Sequence, residues 1–329
     1  MVRALITGGA GFVGSHLSEA LLAQGHHVTV IDDLSTGQFE NIAHLTHNPR
    51  FGFVIETITN TSVMDRLVSE CDIIYHLAAA VGVFAIVSSP IHTIETNVRG
   101  TDIVLETARR YRKKVMIAST SEIYGKGTKT PFSEDDDRLL GSTTKSRWCY
   151  SSSKALDEFL AFAYHKEVGL PVVIFRLFNT VGPRQRGHYG MVIPRFVQWA
   201  LAGEPLQVYG DGTQSRCFAN GSDVVQAIVG LAESEAAVGE VYNIGSQEEV
   251  SMIDLARKVL ERTGSSSEIR MIPYDEAYEA GFEDMQRRVP DIQKINAAIG
   301  WAPRKSLDTT LDEIIAYFRV KGVSKDGPR

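Results

Sequence analysis

The first half of the chain alternates short apolar runs with longer amphipathic segments. Runs rich in Val and Ile predict β-strands near residues 2–7, 27–31, 51–55, 72–77, 114–118 and 171–176. Segments whose apolar residues recur at helical spacing predict helices over residues 11–23, 88–110 and 150–168. Strands that alternate with helices are typical of parallel sheets, because two parallel strands need a crossover connection. We therefore expect an α/β fold with a doubly wound parallel sheet.

The pattern loosens after residue 178. Pro183, Pro194 and Pro205 interrupt the later segments, and strand-like alternation returns only in pieces such as 206–209 and 241–244. We expect residues 1–178 to form a first domain, to which some later segments return. Residues 179–329 should form mainly a smaller α/β lobe, with a frayed polar end at 324–329. Ligands of open α/β sheets bind beyond the carboxyl ends of the strands, so one crevice is expected there.

A glycine-rich turn follows the first predicted strand. Gly8, Gly11 and Gly14 allow a tight turn, a close approach of the backbone to a pyrophosphate, and close packing of the next helix. The positive end of that helix points at the phosphates. Asp32 ends the second strand, where a carboxylate accepts hydrogen bonds from ribose hydroxyls, and no arginine nearby suits a 2′-phosphate. These residues predict a Rossmann-type domain over residues 1–178 that binds NAD.

A tyrosine and a lysine four positions apart are the candidate catalytic pair. Tyr150 and Lys154 share one helical face, and Thr120 ends the fifth predicted strand. A tyrosine hydroxyl accepts a proton from an alcohol only if its anion is stabilised, and an ammonium one turn away would lower its pKa. Thr120 would hold the same substrate hydroxyl. A second such pair, Tyr317 and Lys321, lies on an amphipathic helix without this context and is expected to serve packing.

Composition narrows the class of protein. The formal net charge of -6 disfavours a nucleic-acid partner, and no apolar run approaches the roughly 20 residues of a membrane span. The first strand begins almost at the N-terminus, which leaves no room for a targeting peptide and favours a cytoplasmic location. Cys71, Cys149 and Cys217 are far apart and have no metal-ligand spacing, so we expect reduced thiols and no metal site.

Taken together, the motifs resemble the extended short-chain dehydrogenase/reductase family that modifies nucleotide sugars. The segments that carry the resemblance cover nearly the whole chain: 7–14, 76–79, 119–125, 150–154, 176–179, 182–184 and 288–291. The resemblance implies a UDP-, dTDP- or GDP-sugar in the second lobe and tightly held NAD. It also implies oxidation of the sugar C4 hydroxyl by Tyr150 with help from Thr120, and a homodimer formed through a four-helix bundle.

The residues after Thr120 favour one reaction of this family. Dehydratases have an aspartate where this chain has Ser121, and a neutral hydroxyl is a poor proton donor to a leaving oxygen. Glu122 completes the Thr-Ser-Glu pattern of UDP-glucuronate decarboxylases, and segments 147–150 and 216–218 are similar to their bacterial branch. The resemblance implies that C4 oxidation is followed by loss of CO2, giving UDP-4-keto-pentose or UDP-xylose. Glu122 is then the candidate for the proton or water at C5, and Arg216 for the carboxylate or diphosphate.

Two other functions remain open at this point. A 4-epimerase acting on UDP-glucuronate or on UDP-glucose/galactose is the first, because segment 182–186 also occurs in that branch. A non-catalytic NAD-binding regulatory protein is the second. Such proteins usually lose the tyrosine or the lysine, and both Tyr150 and Lys154 are present here together with Thr120.

The candidate site residues form three sets. The catalytic residues share positions after the fifth strand, on the tyrosine helix or in the second lobe: Thr120, Ser121, Glu122, Tyr150, Lys154 and Arg216. The cofactor residues follow the carboxyl ends of the strands or lie on the helices beside them: Gly8, Gly11, Phe12, Val13, Gly14, Asp32, Asp33, Ser35, Thr36, Gly37, Thr57, Ile58, Leu77, Ala78, Ala79, Asn97, Tyr150 and Lys154. The substrate residues carry amide, guanidinium, aromatic or apolar groups: Asn179, Arg184, Val192, Arg195, Tyr209, Arg216 and Arg288. Thr57 stands where relatives commonly use an aspartate against adenine.

Overall fold

The computed structural model describes residues 1–82, 89–187, 191–273, 276, 285 and 287–322. Its strands, in chain order, are β1 (Arg3–Thr7), β2 (His27–Asp32), β3 (Phe51–Ile55), β4 (Ile73–His76), β5 (Lys114–Thr120), β6 (Val172–Leu177), β7 (Thr180–Val181), β8 (Leu206–Tyr209), β9 (Ser215–Cys217), β10 (Ala219–Asn220), β11 (Val241–Ile244), β12 (Glu249–Ser251), β13 (Ile269–Ile272) and β14 (Arg287–Arg288). Its α-helices are α1 (Phe12–Ala23), α2 (Thr61–Glu70), α3 (Pro90–Ile94), α4 (Gly100–Tyr111), α5 (Trp148–Val168), α6 (Val192–Ala202), α7 (Gly221–Glu233), α8 (Met252–Thr263), α9 (Gln293–Ile299) and α10 (Leu307–Lys321).

A seven-stranded parallel sheet forms the centre, in the order β3-β2-β1-β4-β5-β6-β11. Successive residues of β1 enter different cores: Ala4 and Ile6 pack on one face with α1 and α7, and Leu5 packs on the other with α2 and α4. Both faces are therefore buried, as parallel sheets require. The strand order reverses between β1 and β4, which opens a crevice beyond their carboxyl ends. The predicted doubly wound Rossmann-type fold is confirmed.

Two predicted elements differ from the structure. The helix predicted over 88–110 begins outside the described residues and is divided into α3, a π-helical turn at Glu95–Arg99, and α4. Gly100 stands where α4 begins, and a Cβ there would lie 2.4 Å from the Ile58 side chain, so the helix and the loop after β3 pack closely. Helix α2 was not predicted, although Asn60 marks its start by accepting a hydrogen bond from the Val63 amide.

The part of the chain beyond residue 178 contributes both to the main sheet and to a second core. Strand β11 pairs with β6 at the edge of the main sheet, whereas β8 pairs in parallel with β13 outside it. Helices α6, α8 and α10 enclose the second core through Phe196, Leu255 and Leu311. The predicted frayed end at 324–329 lies outside the described residues. Within the described part of the chain, no helix is long and apolar enough to cross a membrane.

Candidate active site

Two adjoining cavities open at the carboxyl ends of the strands. The first cavity has a volume of about 700 Å³ and lies above β1, β2 and β4. The second cavity has a volume of about 400 Å³ and lies between the end of β5 and the second core. Phe12, Val13, Thr120, Tyr150 and Leu177 line both cavities. The predicted catalytic tyrosine therefore stands at their junction.

The glycine turn lines the first cavity without side chains, and its backbone packs closely against its neighbours. Gly8 has φ +71°, and a Cβ on it would lie 2.8 Å from the Ala78 amide nitrogen. A Cβ on Gly14 would lie 2.4 Å from the Gly8 carbonyl oxygen. Helix α1 begins directly after Gly11, so its unpaired amide groups face this space. The turn and the helix end fit a pyrophosphate.

Asp32 offers a carboxylate on the wall of the first cavity. Its two oxygens accept hydrogen bonds from the amides of Ala10 and Leu34, each at 2.9 Å. Burial raises the pKa of this carboxyl, and these amide hydrogen bonds oppose the rise. Gly37 is adjacent, because a Cβ there would approach the carboxylate to 2.7 Å. Gly37 therefore makes room for Asp32 and does not itself line the cavity.

Most of the predicted cofactor residues line the first cavity. They are Gly8, Gly11, Phe12, Val13, Gly14, Asp32, Asp33, Ser35, Thr36, Thr57, Ile58, Leu77, Ala78, Ala79, Tyr150 and Lys154. Asn97 lies behind the wall, where its side chain accepts from the Ala80 amide at 2.8 Å and donates to Ser153 at 3.1 Å. Asn97 thus joins the wall to α5. The Thr57 hydroxyl is hydrogen-bonded to Thr59 at 3.0 Å.

Tyr150 and Lys154 lie in the first two turns of α5. The Lys154 ammonium donates to the Asp157 carboxylate at 2.6 Å, and both side chains are buried. Burial raises the pKa of Tyr150, the charge of Glu122 adds to the rise, and a hydrogen bond with Thr120 opposes it. The sequence led us to expect a lowered pKa from Lys154. The protein's own groups raise it instead, mainly because the hydroxyl is buried.

Glu122 points into the second cavity beside two guanidinium groups. It lies in the short 3-10 turn Ser121–Tyr124 after β5, and its amide donates to the Thr120 hydroxyl at 3.2 Å. One carboxylate oxygen lies 3.6 Å from Arg288 and 3.9 Å from Arg147. Glu122 is therefore an enclosed acid beside Tyr150, whereas an ordinary acid in a turn would be solvated.

Six of the predicted substrate residues line the second cavity: Asn179, Val192, Arg195, Tyr209, Arg216 and Arg288. Adjacent strands bring two of the arginines together, because Arg288 on β14 is paired in register with Arg216 on β9. Arg288 donates to the Asn179 side chain at 2.8 Å. Arg195 donates to the Tyr209 hydroxyl at 2.8 Å. These side chains enclose a space with several cationic donors.

Arg184 lines the first cavity and not the second, and its predicted contact with the substrate stays a prediction. Its backbone has φ 75°, a conformation that non-glycine residues rarely adopt. Its guanidinium donates to Glu19 on α1 at 2.5 Å and to Ser15 at 3.2 Å. These contacts draw the loop that carries Arg184 across the start of α1.

Sequence reasoning missed Arg147 as a site residue. Its side chain is buried, lines the second cavity and lies beside Glu122. The available signal was its position just before α5, one helical turn from Tyr150.

Known proteins resemble the chain over nearly its whole length. A family model described as GDP-mannose 4,6 dehydratase matches residues 5–314. A UDP-N-acetyl-alpha-D-glucosaminuronate decarboxylase of Bacillus cytotoxicus is 45% identical over 318 residues, covering 96% of this chain and 98% of the relative. UDP-glucuronic acid decarboxylase 1 of Xenopus tropicalis is 39% identical over 319 residues, covering 96% of this chain and 72% of the relative.

A solved structure extends the comparison to three dimensions. UDP-glucuronic acid 4-epimerase from Bacillus cereus, in complex with UDP-glucuronic acid and NAD, matches with a TM-score of 0.87 at 31% identity. The match covers 97% of this chain and 100% of the epimerase chain. The chain therefore belongs to the GDP-mannose 4,6-dehydratase family of extended short-chain dehydrogenases/reductases, in which it is similar to nucleotide-sugar decarboxylases.

Proposed function

We propose that the protein is an NAD-dependent decarboxylase of a UDP-hexuronate, with UDP-glucuronate as the substrate. The observation that carries the proposal is the position of Glu122, enclosed between Arg147 and Arg288 and beside Tyr150 at the junction of the two cavities. An acid at this point can deliver a proton to C5, the carbon next to the oxidised C4. The relatives named decarboxylases support the same reaction.

The first cavity suits NAD. Gly8 and Gly14 line it without side chains, α1 presents its N-terminus, and Asp32 presents a carboxylate for ribose hydroxyls. NAD supplies a hydride acceptor for the sugar C4 when it is bound. The NAD in the similar epimerase structure supports this choice.

The protein's own residues handle the protons of the reaction. Tyr150 takes the proton of the C4 hydroxyl while Thr120 holds the same oxygen, and the hydride leaves C4, so a ketone remains. The hexuronate is then a β-keto acid. Its C5–C6 bond breaks, CO2 leaves, and the electron pair moves to the C4 oxygen as an enolate. Glu122 is the candidate for delivering a proton to C5, directly or through water.

The charge of the second cavity favours a uronate over a neutral hexose. Among the described residues that line it, the charged side chains are Glu122 and four arginines: Arg147, Arg195, Arg216 and Arg288. A diphosphate suits forked guanidinium donors, and a carboxylate on the sugar adds a further anion for them. Arg216 is the candidate for the carboxylate or diphosphate, with Arg288 and Asn179 near the substrate phosphates.

A second candidate substrate differs at C2 of the sugar. The Bacillus cytotoxicus relative, at 45% identity, is named for the 2-acetamido uronate. The same C4 oxidation and decarboxylation apply to it, because the C2 substituent takes no part in the bond cleavage. UDP-N-acetylglucosaminuronate is therefore a second substrate to test.

Product mass tests the proposal. The purified protein is incubated separately with UDP-glucuronate and with UDP-N-acetylglucosaminuronate, and products are analysed by mass spectrometry and sugar stereochemistry. We expect a UDP-pentose or UDP-4-keto-pentose and released CO2 from UDP-glucuronate. An unchanged mass with inverted C4 would identify a 4-epimerase. Turnover of neither compound, with NAD still bound, would favour a non-catalytic NAD-binding protein.

We also propose that the protein forms a homodimer through α3 and α5. Large apolar side chains are exposed on these helices, among them Ile91 (74% exposed) on α3 and Phe159 (65% exposed) on α5. Ile94 and Leu156 extend the same apolar surface. Such a surface marks an interface, and two helices from each copy would make the four-helix bundle that the family resemblance implies.

A further inference from the structure

We propose that Asp157 is the fixed counter-ion of Lys154 and that it determines when Tyr150 releases its proton. The inference rests on the proposed function for the role of Tyr150 as the base. It adds a positioning residue that acts through the catalytic pair and does not line either cavity.

The ion pair is close and almost completely enclosed. The Lys154 nitrogen lies 2.6 Å from Asp157, and the side chains are 3% and 0% exposed. Removing one partner of such a pair leaves a buried charge without compensation. The ammonium therefore has little freedom to move toward Tyr150 or away from it.

A chain of polar groups leads from the wall of the first cavity to Thr101. The Ala78 amide donates to the Thr7 hydroxyl at 3.2 Å, and that hydroxyl lies 2.8 Å from Nδ1 of His76. Nε2 of His76 lies 3.0 Å from the Thr101 hydroxyl. Thr101 lowers the pKa of Asp157, against the larger rise caused by burial.

His76 adds no charge beside the ion pair. Burial, with the charge of Lys154 as the second cause, lowers the pKa of His76 to about 3, so the ring is neutral. One ring nitrogen of a neutral imidazole donates and the other accepts, so His76 joins Thr7 and Thr101 without a charge of its own.

The Lys154–Asp157 pair has no net charge, so it stabilises a tyrosinate at Tyr150 less than an ammonium alone would. After burial, Glu122 and Asp157 both raise the pKa of Tyr150, while Arg288 lowers it. His76 on β4 is neutral, and Glu158 on α5 is bonded to Arg176 at 2.8 Å. Tyr150 therefore keeps its proton until a further positive charge, such as that of an oxidised nicotinamide, lies beside it.

The variant Asp157→Asn tests the counter-ion. It has nearly the same shape and removes a negative charge that raises the pKa of Tyr150, so Tyr150 should lose its proton at a lower pH. We expect the acidic limb of the rate of C4 oxidation to move down by about one pH unit or more. Below the wild-type limb the variant should be faster than wild type. A merely structural role for Asp157 would lower the rate by the same factor at every pH, and that result would overturn the proposal.

A second readout needs no substrate. Near-ultraviolet titration of the purified protein, corrected by the Tyr150→Phe variant in the same background, isolates the tyrosinate signal of Tyr150. We expect its midpoint at lower pH in Asp157→Asn than in wild type. An unchanged midpoint would overturn the proposal. A lowered midpoint in a protein that fails to turn over UDP-hexuronates would support the ion-pair inference and reject the proposed function.

Matched variants separate charge from folding. Asp223 is also buried, and its carboxylate accepts from the amides of Arg304 and Lys305 in the second lobe. Asp223→Asn should lower stability without moving the limb. Thr101→Val makes protonation of Asp157 easier. It should also move the acidic limb of the rate of C4 oxidation down, by less than Asp157→Asn does. If Asp157→Asn does not fold, Thr101→Val decides: a limb that stays in place overturns the proposal.

Discussion

Single side chains at the junction of the cavities determine the fate of the sugar after its C4 oxidation. Tyr150 and Thr120 face both cavities, whereas Glu122 faces only the second. The base that starts the reaction and the acid that would complete it are therefore two separate side chains of one site. This separation allows the two steps to be removed independently.

The variant Glu122→Gln should stop the second step and retain the first. A neutral amide cannot deliver a proton to C5, so formation of the C5-protonated UDP-pentose product should fall by about 10²- to 10⁴-fold. C4 oxidation should continue, and reduced nicotinamide should accumulate by absorbance during a single turnover. Equal loss of nicotinamide reduction and pentose formation would argue against the assigned role.

The same variant should shift the pH dependence of C4 oxidation. Burial raises the pKa of Tyr150 and the charge of Glu122 adds to it. Removing that charge lowers the pKa, so the tyrosinate form is reached at lower pH and the acidic limb should move down. The limb is measured from the rate of nicotinamide reduction over a pH series. A limb that moves up would contradict the electrostatic role assigned to Glu122.

At the scale of the elements, an ion pair joins the loop that carries Arg184 to α1 beside the cofactor cavity. Arg184 reaches the first cavity because its loop crosses α1, and Glu19 holds it there. Burial opposes ionisation of Glu19, but hydrogen bonds from His16 and Arg184 lower its pKa to about 2. Because the pKa of Glu19 is depressed in the folded protein, its ionised carboxylate stabilises the fold fully above the ordinary pKa of 4.5. This stabilisation is lost as the pH falls toward about 2.

The variant Glu19→Gln should loosen the loop that carries Arg184. Without the ion pair, the strained backbone of Arg184 is less constrained, and bound NAD should dissociate several-fold faster while turnover at saturating NAD changes little. Release is followed by fluorescence after dilution. Glu106→Gln, which breaks only an exposed contact with Arg110 at 3.9 Å, is the control. Unchanged NAD release in Glu19→Gln would show that the loop needs no such anchor.

Local sequence motifs predicted the elements that carry the chemistry. The glycine turn, Asp32 and the Tyr150–Lys154 pair depend on spacing within one strand–helix unit, which the sequence displays directly. The place of Arg184 depends on how a distant loop crosses α1, so the sequence did not show that it lines the first cavity. Asp157 stands three positions from Lys154, but nothing in the sequence marks the burial that makes it a counter-ion.

At the scale of the whole molecule, exposed apolar side chains on α3 and α5 form the proposed dimer surface. Phe159→Asp and Ile91→Asp should prevent the proposed dimer, because burying a carboxylate in an apolar interface is costly. Analytical ultracentrifugation should then find a monomer where wild type is a dimer. Val320→Asp is the control, since Val320 is 91% exposed on α10 outside this surface. A wild-type monomer would reject the dimer.

The central claim is that the protein decarboxylates a UDP-hexuronate after Tyr150 starts its C4 oxidation. Following the carboxyl carbon of the substrate tests this claim most directly. UDP-glucuronate carrying an isotopic label at C6 is mixed with wild-type protein and with Tyr150→Phe, and labelled CO2 is collected. We expect labelled CO2 in stoichiometric amount with the UDP-pentose product from wild type, and none above background from Tyr150→Phe, which should still hold NAD. Label retained in a six-carbon product, or CO2 released equally by Tyr150→Phe, would contradict decarboxylation initiated by Tyr150.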